Sequence, residues 1–455
     1  MWGFVHHRTI GMFRAGFCTV LGCVMVFDLR DVVALYRNPF AVWFPTPLMD
    51  DLGIGRPPLW VVVVIALATA VACWSAAVGF LTRTSLAIAA GGFLAFQSVM
   101  VGFFKWSPFD NNSTHNTNIV PYVLVALLLL PSIASWSVDR ARQGRSEPDG
   151  AEAWVGAWQV RLVRFVLGAG YLGAGVSKLR VSFDWPLGET QQAILLRAYL
   201  RRDLAISEAV SDSEMIGLLF GLGAIVFEIG FVLAAVLMPI RSRLRLPLVV
   251  IGIGFHLATT LFLQIWHFLP YWAPVYLIFL TWEDIAAWRG HDLGRAPETA
   301  RRPSIVTGLA VAGLTVLLVV PIATAAEYWP LSDFGAYSNP SDRDGLWADR
   351  IELVAADGSA RFLVASDLGD PFGHRRSAAA FRRFWEDRSG NRGSPGRPTV
   401  DPAELEPVLR DYWSLLEPEL RAAYPVIRLV RREVALIDGE AEVTDRVVLE
   451  VVTGR

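Results

Sequence analysis

Only two of the 41 basic side chains are lysines, and one of them, Lys178, ends an apolar run. Where charge alone is needed this sequence uses arginine, so a lysine retained there points to a task a guanidinium cannot perform, the loss of a proton. Desolvation disfavours an ammonium enough for a lysine to act as a base. The competing reading is an anchor that snorkels from a helix end to the membrane interface. Glu228 interrupts Ile225-Val226-Phe227-Glu228-Ile229-Gly230; an unpaired carboxylate there is costly, so it must be protonated, paired or facing a cavity. His256, in Gly254-Phe255-His256-Leu257, can exchange a proton, orient a neighbour or serve as a satisfied structural residue. Arg161 and Arg164, one turn apart, can pair with such carboxylates or snorkel. His115, in the polar loop 110–118, is either a further proton-transfer group or a solvated side chain. Cys18, Cys23 and Cys73 all fall in apolar stretches, so reduced thiols are expected, with neither a disulfide framework nor a metal site.

These residues sit in a chain of 455 residues that is 53% hydrophobic and 18% charged, with a mean hydropathy of +0.41. Ordinary soluble domains carry about 25% charged residues, so a soluble enzyme, a disordered chain and a nucleic-acid binder are all disfavoured. Apolar windows of about 20 residues predict spans near 10–27, 59–81, 85–104, 119–137, 154–179, 215–240, 247–265, 268–282 and 305–326. The eighth is short and holds Pro270 and Pro274, so it is tilted, broken or only partly inserted. The first has no small-residue cleavage site before Asp28, Arg30 and Asp31, which favours an uncleaved helix over a signal sequence.

The expected fold is an all-α polytopic membrane bundle of about nine transmembrane helices over residues 1–326, followed by a small α+β extracytoplasmic domain over 327–455. The first part carries 24 Lys and Arg against 20 Asp and Glu, the second 17 against 23. With the N-terminus cytoplasmic, the inner segments hold 12 basic residues and the outer connections 8, the direction the positive-inside rule requires. Loops 28–58, 105–118 and 180–213 and the C-terminal domain then face outward.

In that domain Asp357-Gly358 and Asp438-Gly439 each separate two strand-like runs, a hairpin signal. Residues 377–388 and 401–422 have helical spacing, and 389–398 reads as a loop. It has no nucleophile motif or phosphate-binding glycine loop, so it reads as a recognition or docking module. Within loop 180–213, residues 189–200 form an amphipathic pattern that would lie at the outer membrane surface as a cover over Lys178.

Tyr171-Leu172-Gly173-Ala174-Gly175-Val176-Ser177-Lys178-Leu179, followed by Asp184-Trp185 and Gly188, resembles the segment of vitamin K-dependent gamma-carboxylases that carries their proposed active-site lysine. Phe255-His256-Leu257-Ala258-Thr259-Thr260-Leu261-Phe262-Leu263, with Phe268-Leu269-Pro270-Tyr271 after it, resembles their later histidine-containing helix, and Glu228 falls where an acidic residue precedes it. The wider grouping is the HTTM (horizontally transferred transmembrane) superfamily, which also includes bacterial proteins linked to maturation of a secreted toxin. The resemblance covers roughly residues 5–290.

It implies that Lys178 deprotonates a lipid quinol, vitamin K hydroquinone or menaquinol. O₂ and CO₂ would be co-substrates, and a glutamate of a secreted peptide or protein the acceptor. Glu228, His256 and His115 would complete the catalytic set, and Tyr171, Trp185 and His256 would hold the quinone. His115 departs from the family's Asn-Asn-His pattern, lying three residues past Asn112. The alternatives are a non-enzymatic maturation factor or chaperone that holds a secreted peptide through residues 327–455, and a transporter with Glu228 and His256 lining a polar path. In each case the bilayer is the surrounding partner.

Overall fold

A computed structural model of the chain describes residues 3–37, 43–104, 117–181 (apart from 145, 147 and 149), 184–202, 205–263, 268–294, 296, 304–325, 347–363, 406–437 (apart from 415) and 440–453. Its main elements are numbered in chain order. β1 (Phe4–His6) leads into α1 (Arg8–Arg37), α2 (Leu59–Val78), α3 (Thr82–Phe104) and α4 (Ile119–Leu129). β2 (Trp154–Gly156) then precedes α5 (Trp158–Val181), α6 (Glu189–Arg202), α7 (Glu214–Leu237), α8 (Arg245–Leu263) and α9 (Ile305–Thr324). Beyond them lie β3 (Trp347–Val354), β4 (Ala360–Phe362), α10 (Glu406–Ser414), α11 (Pro418–Ala423), β5 (Val426–Ile437) and β6 (Glu440–Val452).

Among the described residues, seven helices, α1, α2, α3, α5, α7, α8 and α9, are long and apolar enough to cross a membrane. The other two expected spans are shorter. Pro131, which cannot continue the hydrogen-bonded ladder, starts a 3₁₀ turn over Pro131–Ala134 just after α4. Leu269–Phe279 is one helical turn, Leu269–Trp272, followed by a 3₁₀ stretch, Ala273–Phe279, with Pro270 and Pro274 each at the start of a piece. In the other direction, α1 runs ten residues past its expected end at 27, because Asp28 and Asp31 are buried inside the bundle instead of facing a loop. The Tyr271 hydroxyl donates to Asp28, and the Gln97 amide to Tyr271.

Polar contacts define the two ends of the bundle. At one end, β1 pairs antiparallel with β2, Phe4 opposite Gly156. The backbone N–H of His6 and the hydroxyl of Thr9 donate to the two oxygens of Glu283, at 3.1 and 3.2 Å. Arg14, fully buried, donates to the carbonyls of Ile133, Ser135 and Trp136. Asp139 accepts from the N–H groups of Leu81 and Thr82, each at 2.7 Å, which fastens the α2–α3 turn to the segment after α4. At the other end, Arg180 donates to the carbonyl of Ile322 near the end of α9, and Ser207 to that of Phe262 near the end of α8. A continuous apolar core, from Phe13 and Phe17 to Phe93, Val163 and Phe279, joins the ends.

The C-terminal sheet has the order β4-β3-β5-β6, antiparallel throughout. Both expected hairpins form: β3 and β4 flank Gly358, whose φ of +84° suits glycine, and Ile437 pairs with Glu440. The single helix expected over 401–422 is broken into α10 and α11, because Pro418 sits at a helix start. The helix expected at 377–388 and the loop at 389–398 lie outside the described residues. The sheet packs on α6: Val434 and Val443 meet Ala193, Leu196, Tyr199 and Leu200, and the Arg432 guanidinium lies 5.0 Å from the Tyr199 ring centroid. It therefore lies at the end opposite the β1–β2 ribbon.

At the ribbon end, burial and the nearby Arg8 lower His6 to about 4. Burial, with His6, Arg8 and Arg140 around it, does the same to His7. Both therefore fold in the neutral form. Their contribution to stability is complete above the unfolded value of about 6.5 and is lost as the pH falls from there toward 4. Thermal unfolding of the detergent-solubilised protein should lose midpoint temperature below pH 6.5, with a shallower decline in His7→Phe; a flat profile down to pH 4 would contradict this.

Candidate functional site

Tyr171 and Lys178 lie seven residues apart on α5, two helical turns, and so share one face of the helix. That face meets α7 at close range. A Cβ at Gly175 would stand 2.8 Å from the Ile229 side chain and 3.1 Å from the Glu228 Cβ, so only glycine lets the helices approach this far. The approach brings the Lys178 Nζ to 2.7 and 3.0 Å from the two oxygens of Glu228. Both residues are buried, with 4% and 3% exposure. The ammonium end of Lys178 is also 5.1 Å from the centroid of the Trp185 ring, a cation–π distance. Of the readings open to Glu228, pairing and facing a cavity both hold, and Lys178 is directed into the bundle instead of to an interface.

One wall of the same space is a hydroxyl–imidazole chain. The Tyr171 hydroxyl lies 2.6 Å from His256 Nε2 and 2.5 Å from the Tyr276 hydroxyl. Tyr276 comes from the 3₁₀ stretch, and its hydroxyl sits where a Cβ on Gly252 would be, so α8 must have glycine there. The His256 ring stacks on Phe268 at 5.9 Å and leans on Trp272 at 5.5 Å. Its Nδ1 is buried without a hydrogen-bond partner among the described residues.

Lys178, Glu228, Tyr171, His256 and Trp185 all line one cavity of about 270 Å³. The rest of its wall is largely apolar and aromatic, with Phe220, Phe255, Phe262, Phe268 and Trp272 prominent. The amphipathic helix expected at 189–200 is α6, and it covers the cavity with Gln191 and Ile194 while its buried Ala193, Leu196 and Leu200 turn to the sheet. Leu219, which borders the cavity from α7, is 61% exposed on the apolar outer face, and α7 packs far more on α5 than on α8. The cavity is therefore adjacent to the lipid side between α7 and α8.

Five of the six sequence-predicted site residues thus converge; His115 lies outside the described residues. Tyr276 and Trp272 were not anticipated. The one available signal was the doubled proline of their segment, which breaks regular helix and turns side chains at irregular angles into the core. The described residues contain no group of His, Cys, Asp or Glu able to hold a metal ion.

A buried ion pair is costly to split, because removing one partner strands the other charge in an apolar medium. Glu228→Leu should destabilise the protein by on the order of 3–5 kcal/mol, whereas Lys178→Met with Glu228→Leu should recover most of that loss. Denaturant titration followed by tryptophan fluorescence measures both. With Lys178→Met measured as well, a double-variant loss equal to the sum of the two single losses would show that the two groups are not coupled.

No curated protein and no solved structure matches the chain. The HTTM domain does match, over residues 5–283. That span holds α1 to α8, the Leu269–Phe279 segment and every cavity residue, so by sequence and by the elements that build its site this chain belongs to the HTTM domain family, as a multi-pass membrane protein.

Proposed function

We propose that the chain is a membrane enzyme that takes a lipid quinol into the cavity beneath α6, using Lys178 as the base. The observation that carries this reading is a buried lysine–carboxylate pair facing an apolar, aromatic-walled space beside the lipid. About 270 Å³ is near the lower end of small-molecule pockets, roughly 300–1,000 Å³. It suits a ring headgroup whose apolar tail leaves between α7 and α8. The residues fit such a group: Trp185, Phe268 and Trp272 offer ring faces, and the Tyr171–His256 pair and Lys178 offer polar atoms for two ring oxygens.

Glu228, 2.7 Å from the Lys178 Nζ, is the nearest acceptor for the proton that Lys178 must shed before its amine can turn to the quinol as a base. That amine accepts the proton of a quinol hydroxyl: the O–H bond breaks and an N–H bond forms. Tyr171, held between His256 and Tyr276, hydrogen-bonds the opposite oxygen. Bound quinol and O₂ would then supply the oxidising chemistry that the gamma-carboxylase resemblance links to a glutamate of a secreted peptide and CO₂. A second reading, a maturation factor that holds a secreted peptide without chemistry, draws on the sheet seated against α6.

The same proposal places the N-terminus in the cytoplasm. The ribbon end carries Arg8, Arg83, Arg140, Arg142, Arg241, Arg243 and Arg245, as the positive-inside rule favours, and the short segments α4 and Leu269–Phe279 complete nine crossings. The sheet is then extracytoplasmic. Alkaline phosphatase fused at the C-terminus should be active, and activity only of a cytoplasm-dependent reporter would reverse the orientation.

For the chemistry, protein in lipid nanodiscs should consume O₂ when given menaquinol or vitamin K hydroquinone. Lys178→Arg should lower that rate by about 10²-fold or more while remaining folded. Absence of both O₂ consumption and quinol quenching of tryptophan fluorescence in the wild type would overturn the enzyme reading. Loss of function on deleting 327–455, with Lys178→Arg silent, would favour the maturation factor.

A further inference from the structure

Among the described residues at the ribbon end of the bundle, guanidinium groups outnumber the carboxylates that serve them. Arg164 is fully buried on α5, with its guanidinium carbon 4.4 Å from the centroid of the Phe279 ring. Its Nε, Nη1 and Nη2 have no hydrogen-bond partner among the described residues. Arg161, one turn earlier, donates through Nη1 to the carbonyl of Val236, and its buried Nε has no partner. Arg245, at the start of α8, donates to the Ile240 carbonyl at 2.9 Å and is paired with Asp284, and its Nε is likewise without a partner. Arg164 is within electrostatic range of Arg161, Arg245 and Asp284.

The nearby carboxylates are already engaged. Asp284 Oδ2 accepts from the backbone N–H and the hydroxyl of Thr281, each at 2.8 Å, and its Oδ1 from Arg245. Glu283 Oε1 accepts from the His6 N–H and from Arg241, and its Oε2 from Thr9. A cation–π contact offsets only part of the cost of burying an unpaired charge, and the N–H donors on all three nitrogens of one planar fork still require acceptors.

We infer that Arg164, with Arg161 and Arg245, forms an anion site for a phosphate group, supplied by a phospholipid headgroup or by free phosphate. A tetrahedral oxyanion presents several acceptor oxygens at once, the geometry that arginine forks bind best. The cluster reaches the surface through Arg161, which is half-buried. The ends of α7 and α8 beside it expose Leu237, Leu244 and Leu246 as a lipid-facing rim, where a headgroup would sit. This site is separate from the cavity under α6 and stands or falls without the quinol reading.

The test uses delipidated full-length protein in a neutral detergent, with dioleoylphosphatidylglycerol, inorganic phosphate and dioleoylglycerol as probes. Native mass spectrometry and thermal unfolding are read together. The wild type should retain the phospholipid and gain midpoint temperature, and dioleoylglycerol, which lacks the phosphate, should do neither. Arg164→Met, which keeps the side-chain volume and removes the stranded charge, should fold and bind the phospholipid at least tenfold more weakly; Arg161→Gln should be several-fold weaker. Stabilisation of the wild type by inorganic phosphate alone, lost in Arg164→Met, identifies free phosphate as the ligand. Unchanged phospholipid binding in both variants, or no response of the wild type to either phosphate probe, overturns the site.

Discussion

A lysine and a glutamate cannot each be buried alone among membrane-spanning helices, and much of the site is arranged so that Lys178 and Glu228 meet. Removing two charges from water costs more than their attraction returns unless the geometry is close and the donors are met. Here Lys178 reaches both oxygens of Glu228 and lies over an indole face. Such contact needs α5 and α7 to pack backbone to backbone. Gly168 against Val232 and Gly175 against Ile229 provide it, in the way small residues permit close helix pairs in membranes. Two further glycines of α7, Gly217 and Gly221, admit the turn through Gly188, which brings Trp185 under the lysine and begins α6 above it.

The opposite wall obeys a second constraint, that hydroxyl and imidazole groups in an apolar interior must satisfy one another. Tyr171 stands between His256 and Tyr276, three side chains from three different segments. A regular helix over 269–279 would distribute its side chains at 100° intervals, with half of them toward lipid. The 3₁₀ stretch stacks residues three apart on one side, and Tyr276 and Phe279 both face the core. The two prolines that make the segment a poor span are thus what turns it into an inner wall.

The charged and polar residues within apolar runs were legible from sequence because each violates the expectation for its surroundings. Lys178, Glu228 and His256 needed no fold to attract notice, and their convergence with Tyr171 and Trp185 was implied by the resemblance. What could not be read was geometry set by other segments. Asp28 and Asp31 looked like the start of a loop, yet α1 continues through them because Tyr271, more than 240 residues away, donates to Asp28. Helix ends follow local charge only when the charge meets water, and a tertiary partner removes that condition. Tyr276 was marked only indirectly, by the two prolines of its segment, since one tyrosine in an apolar run is ordinary. In the C-terminal part the hairpins were legible from Asp-Gly turns, a local property, whereas the seating of the sheet on α6 depends on Val434, Val443 and Leu196 meeting across more than 200 residues.

That seating ties the two parts of the chain through a single helix. Each turn of α6 sends Gln191 and Ile194 to the cavity and Ala193, Leu196 and Leu200 to the sheet, so neither face is left to bind water. An amphipathic helix on a membrane surface normally turns its apolar side to lipid and its polar side to solvent. With both sides covered, α6 is held from above by β3, β5 and β6 and from below by α7 and α8, and its position is no longer set by the bilayer. Anything that displaces the sheet must also expose the apolar residues of α6, at about 25 cal/mol for each Å² uncovered. The cover over Lys178 is therefore as stable as the sheet contact. Through Val434 and Val443 the C-terminal sheet holds the roof of the cavity.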